Sequence, residues 1–297
     1  MQAPQTASSK QPQETGRDQV LFVTRVFAAL VVPVLVTAFV MLYLFPNDSG
    51  RLFAWPVNPT ISAMLLGATY LGGAYFFTRV IFIRQWHTVQ LGFLPVSTFA
   101  GILGIATLLH WDRFTQGHIA FLAWSLLYFT LPFVIPVIWY RNHKVNRGNT
   151  QTAEKRFSHS LRLATGAVGV VLLAAGAGLM LFPQMIIPFW PWTLTPLTAR
   201  VMAAKFILPG LVGLGVATDG RWSSASILFQ SQVLTILLFF MAIVRANDEI
   251  QWSQWSSWVF PISLSLVLLL ISWAWLETAN WAARPAESAG EKFSGEK

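Results

Sequence analysis

The chain has 297 residues, 55% of them hydrophobic and only 11% charged, with a formal net charge of +8 and no cysteine. Ordinary soluble domains carry roughly 25% charged residues, so a water-soluble globule is excluded. The missing cysteines exclude disulfides, thiolate metal sites, iron–sulfur clusters and cysteine nucleophiles.

Residues 1–19 are polar, rich in Gln, Ser and Thr, and are expected to form a disordered cytoplasmic tail. Apolar runs follow, each about 18 to 25 residues long, enough to cross a hydrocarbon core of about 30 Å. They place eight transmembrane helices near 20–44, 60–83, 90–109, 118–140, 160–182, 199–217, 226–245 and 258–278. The first run is too long for a signal-peptide core and is read as an anchor. The third contains Gly92, Pro95, Gly101 and Gly104, and the sixth contains Lys205 and Pro209. Such breakers are tolerated in a span when neighbouring helices satisfy the freed backbone groups. The expected fold class is therefore an all-α membrane protein of about eight transmembrane helices.

The basic charge is a topology signal and does not point to nucleic acid. With the N-terminus inside, 15 Lys and Arg fall on the cytoplasmic face, among them Arg25, Arg79, Arg84, Arg141, Lys144, Arg162 and Arg221. Five fall outside: Arg51, Arg113, Arg200, Lys205 and Arg245. This bias puts both termini in the cytoplasm of a plasma (inner) membrane.

Sliding the sequence on itself gives a register at an offset of 137 residues. Arg25 meets Arg162, Leu44-Phe45-Pro46 meets Leu181-Phe182-Pro183, Trp55 meets Trp192, Pro59 meets Pro196, Gly73 meets Gly210 and Arg84 meets Arg221. Asp112 falls on Glu249 in the same register. The register implies two four-span repeats, 20–140 and 160–278, joined by a basic cytoplasmic linker at 141–159 and followed by a tail at 279–297. An even number of spans in each makes the repeats parallel, related by an axis along the membrane normal. The linker reads as a topology-setting loop that touches anionic headgroups, or as a docking segment. The Trp residues cluster near span ends, as aromatic belts do.

Three stretches, LFAWPVNPTISAMLLGATYLGGAYFF (52–77), LLHWDRF (108–114) and WPWTLTPLTAR (190–200), resemble an uncharacterised family of bacterial integral-membrane proteins. The resemblance implies a multi-pass membrane protein. It implies no activity, substrate or cofactor and transfers no catalytic residue.

Four groups of residues are candidates for chemistry. The outer segments 46–59 and 183–198 combine Pro with Trp55, Trp190 and Trp192, and either line a vestibule or lipid-binding groove or act as stiff interfacial hairpins. His110, Asp112 and His118 at the outer face could ligate a divalent metal or shuttle protons; salt bridges and headgroup contacts are the plainer reading. Lys205 lies about 10 Å inside its span, where an ammonium either binds an anionic substrate or lipid phosphate or snorkels outward beside Arg200. Arg25 and Arg162 could form inner anion or headgroup sites, or simply be snorkelling residues of the positive-inside face.

No acidic residue falls in mid-span, and no P-loop, HExxH or GxSxG pattern is present. ATP-driven work and standard hydrolase chemistry by this chain are therefore unsupported, and no cofactor is expected. Three classes remain: a non-catalytic protein that binds lipids, organises the membrane or accompanies a complex; a transporter or lipid-translocating protein without a buried coupling carboxylate; and a membrane-embedded enzyme acting on lipids. Membrane lipids, and other membrane subunits in the complex-associated case, are the expected partners.

Overall fold

The computed structural model describes residues 18–146 and 154–282. Most of the expected tail at 1–19 and of that at 279–297 falls outside those residues, as do Lys10, Arg17, Arg147, Arg284, Lys292 and Lys297. Eight long helices are described: α1 (Phe22–Leu44), α2 (Thr60–Phe82), α3 (Gln90–Leu109), α4 (Ile119–Val145), α5 (His159–Leu181), α6 (Pro196–Asp219), α7 (Trp222–Arg245) and α8 (Ser256–Ala282). All are long and apolar enough to span a bilayer. The protein is an all-α, multi-pass membrane protein.

The expected spans match these helices to within a few residues, and Pro95 and Pro209 lie inside unbroken α3 and α6. The linker expected at 141–159 is shorter, because α4 continues to Val145 and ends by capping: the Asn146 N–H bonds Asn142 O. Each outer turn after α1 and α5 is a stop imposed by proline. Phe45 and Phe182 take nearly the same backbone angles (φ −120°, ψ 53° and φ −129°, ψ 50°) before Pro46 and Pro183. A residue before proline is pushed away from helical geometry, so the helix ends there.

Helix bounds recur in the chain. α1 and α5 cover 22–44 and 159–181, and α4 and α8 cover 119–145 and 256–282, 137 residues apart at every end. Packing is crossed. α1 packs along α2 and α5 along α6, but α3 lies against α6 and α7 against α2. The central helix α2 has 72% of its span window buried and the lowest mean hydropathy, 1.3, whereas α1 and α8 have 17% buried and face outward. A helix screened from lipid can afford Thr69, Tyr70 and Tyr75, so the modest hydropathy of α2 follows from its position.

The close approach of α5 and α6 rests on glycine. A Cβ on Gly169 would sit 2.8 Å from Gly210 O and 3.1 Å from Leu214 N, and one on Gly213 would sit 3.0 Å from Thr165 O. Backbone atoms cannot move aside, so only glycine permits this contact.

The helix ends are tied by polar groups brought in from elsewhere in the chain. Arg25 donates to Ile81 O (3.0 Å) and Ile83 O (2.8 Å) at the end of α2, and Arg162 donates to Ala217 O (2.8 Å) and Thr218 O (3.2 Å) at the end of α6. Asn142 Oδ1 accepts from Leu21 N (3.0 Å) ahead of α1, and Glu277 accepts from Ser158 N and Ser158 Oγ ahead of α5. At the start of α2, the Glu249 carboxylate accepts from Thr60 N (3.0 Å), Thr60 Oγ1 (2.6 Å) and Ile61 N (2.8 Å), so it caps α2 from a distant segment. At the opposite end of the bundle, the His87 ring contacts both the Asp18 carboxylate and Glu154 Oε1 (3.2 Å), and Arg221 pairs with Asp219 (2.7 Å) and lies 3.7 Å from Glu154.

Glu249→Ala is expected to destabilise the protein by about 2 kcal/mol, since it strips two backbone N–H groups of a charge-assisted cap. Chemical unfolding in detergent measures this. An unchanged midpoint would show that the cap is replaced by solvent.

Candidate functional site

The interior turns of all eight helices line a cavity of about 170 Å³. Its walls are mostly apolar, with Phe76, Phe77, Phe99, Phe229 and Phe239 among them, and Gly72, Gly92, Gly169 and Gly213 let the lining helices and side chains pack closely around it. A Cβ on Gly92 would fall 2.4 Å from the Phe76 ring, and one on Gly72 would fall 2.1 Å from Thr235 Oγ1. Several lining positions stand in the register of 137: Val31 with Val168, Leu35 with Leu172, Gly72 with Pro209, Phe76 with Gly213 and Gly92 with Phe229.

Few polar groups reach this space. Tyr70 and Tyr128 share a hydrogen bond of 2.8 Å between their hydroxyls, both buried. Ser231 Oγ donates to Gly72 O (2.8 Å) and Thr235 Oγ1 to Ser231 O (2.9 Å), so their hydroxyl protons are already used. Lys205 differs from all of these. Its Nζ is shielded from solvent, has no hydrogen-bond partner among the described residues, and lies 5.7 Å from the centre of the Phe239 ring. Lys205 therefore does not snorkel to the outer face beside Arg200; its stem carries the amine into the bundle.

Arg200 is engaged elsewhere. It donates to His110 Nε2 (2.7 Å) and to Met180 O (3.2 Å), joining the outer end of α3 to α5 and α6. A guanidinium only donates, so His110 accepts at Nε2 and is a neutral imidazole there. Burial, then the Arg200 charge, hold its pKa below the usual 6.5. The sign follows: below pH 6.5 the unfolded chain takes up a proton that the folded His110 resists, so stability falls as the pH drops through that value. His110→Gln is expected to flatten the stability profile between pH 7 and 5, read from thermal unfolding at each pH. An unaltered slope would assign the acid sensitivity to other groups.

The outer metal set does not assemble. His118 Nδ1 accepts from Ala120 N (3.2 Å) at the start of α4, and Asp112 is exposed and paired with Arg113 (3.3 Å). Among the described residues no group of three or more His, Asp or Glu could hold a metal ion. The physical reason is that each imidazole already serves a structural contact, His110 with Arg200 and His118 with the start of α4.

The Trp-Pro segments are not an open vestibule. Trp55 and Trp192 are 2% and 1% exposed. Trp55 packs edge-on against Trp124 (4.8 Å between ring centres) and Phe114 (5.0 Å), and Trp192 packs against Phe260 (5.4 Å) while donating from Nε1 to Ser62 Oγ (2.9 Å). Trp190 stacks edge-on against Trp192 and Phe206. These buried rings pack together at the end of the bundle that carries the two Trp-Pro segments. Trp86, expected in an inner belt, is also buried at 1%, whereas Trp111, Trp255 and Trp258 are exposed as belt residues would be. Arg25 and Arg162, bound to backbone carbonyls at the ends of α2 and α6, act as helix caps.

Sequence reasoning passed over Tyr70, Tyr128, Thr235 and Phe239. The available signal was the low hydropathy of α2, which marks a helix withdrawn from lipid, but nothing local links Tyr70 to a tyrosine 58 residues away. Together, eight spans and a cavity drawn from all of them define a multi-pass helical membrane protein with one buried amine in an apolar interior chamber. No family model, curated protein or solved structure matches the chain.

Proposed function

We propose that the protein is non-catalytic and binds one small amphipathic ligand from the bilayer in its central cavity, with Lys205 as the polar anchor. The observation that carries this reading is the shielded Lys205 Nζ without a partner among the described residues. Buried polar groups are normally paired, and one that is not marks strain, a catalytic role, or a contact with water, an ion or a ligand. Of the buried side-chain atoms without a partner among the described residues, Lys205 Nζ is the one that lines the cavity. The dimensions suit a ligand of one ring or a short chain, since an engineered apolar cavity of about 150 Å³ holds benzene.

The chain arose by duplication of a four-helix unit in this reading, with both termini cytoplasmic. The coincident helix bounds, the reciprocal pairs α3–α6 and α7–α2, and the Arg25 and Arg162 caps support it. A duplicated, mostly apolar chamber would then have gained its specificity at positions that break the register, such as Lys205, which falls on Ala68.

Native mass spectrometry of protein from mild detergent, with lipid and metal analysis, tests the reading. A stoichiometric small molecule lost in Lys205→Met supports it, and a ligand-free protein that binds no small amphipath sinks it. A second reading, translocation, is favoured by one observation: the cavity walls come from both proposed halves, where transporters hold their substrates. Lys205-dependent flux of the identified ligand in proteoliposomes would select it.

A further inference from the structure

We infer that the ligand is a membrane-soluble weak acid, taken into the cavity together with its proton, so that Lys205 changes from amine to ammonium as the acid becomes its anion. This rests on the binding reading above and specifies its ligand class.

The argument begins with what surrounds the amine. The titratable side chains lining the cavity are Lys205 from α6, Tyr70 from α2 and Tyr128 from α4; α1, α3, α5, α7 and α8 contribute none. The two tyrosines bond each other. The described carboxylates lie in the loops or at helix ends: Asp18, Asp48, Asp112, Glu154, Asp219, Asp248, Glu249 and Glu277, and none lines the cavity. An ammonium there would meet no counter-charge: the walls are mostly apolar, their other polar side chains (Thr69, Thr165, Ser231, Gln232 and Thr235) are uncharged, and one ring, Phe239, lies at 5.7 Å. A single ring face offsets only a small part of the loss of hydration. A buried ion without a counter-charge neutralises instead, so the ligand-free site holds an uncharged amine.

That amine is the strongest base in the chamber, and only one ligand class answers both of its needs. An alcohol or ketone can accept its hydrogen bond but brings no proton. A preformed anion brings charge but no proton, and must leave water to enter an apolar space. An uncharged acid brings both. Its O–H bond breaks, an N–H bond forms on Nζ, and the product is an ammonium–carboxylate pair with no net change in charge. The Phe-lined walls take the apolar body.

The test is calorimetry of the full chain in detergent with benzoate, and benzyl alcohol as the acid-free control, in two buffers of different ionisation enthalpy. Benzoate is ionised in water at pH 7, so forming the same bound pair draws one proton per site from the buffer. Affinity should then weaken about tenfold from pH 7 to pH 8. Lys205→Met should lose the proton uptake and at least tenfold in affinity. Lys205→Arg, whose guanidinium stays protonated, should bind benzoate without proton uptake. Benzoate bound by the natural chain with no proton uptake would overturn the inference while leaving the binding site intact. So would benzyl alcohol bound as tightly as benzoate. Failure of both probes to bind would remove the cavity reading itself.

Discussion

Gly169→Leu is expected to yield a chain that enters the membrane but does not assemble. At this position α5 meets α6 backbone to backbone, with Gly210 O, Leu214 N and Gly213 C all within 3.4 Å of where a Cβ would stand. A leucine cannot be absorbed by a rotamer change in a neighbour, because the nearest atoms belong to a helix backbone. The helices must separate, and with them Val168, Leu172 and Val212 leave the cavity wall. Overpacking a tight core costs about 3 kcal/mol or more in such a case. Gly215→Ala on α6 is the control, since its Cβ would meet only Leu91 Cδ2 at 3.6 Å and alanine favours a helix. Size-exclusion profiles and unfolding midpoints separate the two. If Gly169→Leu stays monodisperse with a native midpoint, the glycine contact is not what fixes the pair.

Lys205→Met should act in the opposite direction on stability. The thioether chain is close in length, and it replaces a shielded amine that has no partner with a group that needs none. Removing an unsatisfied buried polar group is expected to stabilise the ligand-free protein by about 1–3 kcal/mol, seen as a higher unfolding midpoint in detergent. The same substitution should abolish ligand-dependent stabilisation. A gain in stability with a loss of binding is the signature of a residue kept for function at a cost to the fold. A destabilisation comparable to truncating a core leucine would instead mean that Lys205 holds the helices together.

The eight spans were legible because each is a long apolar run bounded by charge, and a bilayer forces such runs into helices. The stops at Pro46 and Pro183 were legible too, since proline acts on its immediate neighbour. Partners across the bundle were not. Lys205 could be placed at a depth, but whether its stem turns outward to Arg200 or inward to Phe239 depends on where α7 packs, and no local pattern encodes that. Arg200 was unavailable to it for a similar reason: His110, 90 residues away, takes its guanidinium. The Trp-Pro segments misled for a physical reason as well. An indole at a span end suits the headgroup zone and a sealed aromatic plug equally, and Phe53, Phe114 and Trp124 decide for the plug at Trp55. Glu249 was noted as an acidic residue after a span, yet its service to α2 joins positions 189 residues apart.

The crossed pairing of α3 with α6 and α7 with α2 has a consequence for biosynthesis. When α2 and α3 leave the ribosome, α1 is already there for α2, but α7, which covers another side of α2, and α6, which packs on α3, have not been made. The early product is therefore an incomplete surface in the lipid, its least apolar span, α2, exposed along the side that α7 will cover. Expressed alone, residues up to 146 should be a poorly assembled, protease-sensitive fragment, and the two pieces co-expressed should rescue each other. Synthesis of the last spans would then close the molecule in a single late step, and the chamber would come into being only at that moment.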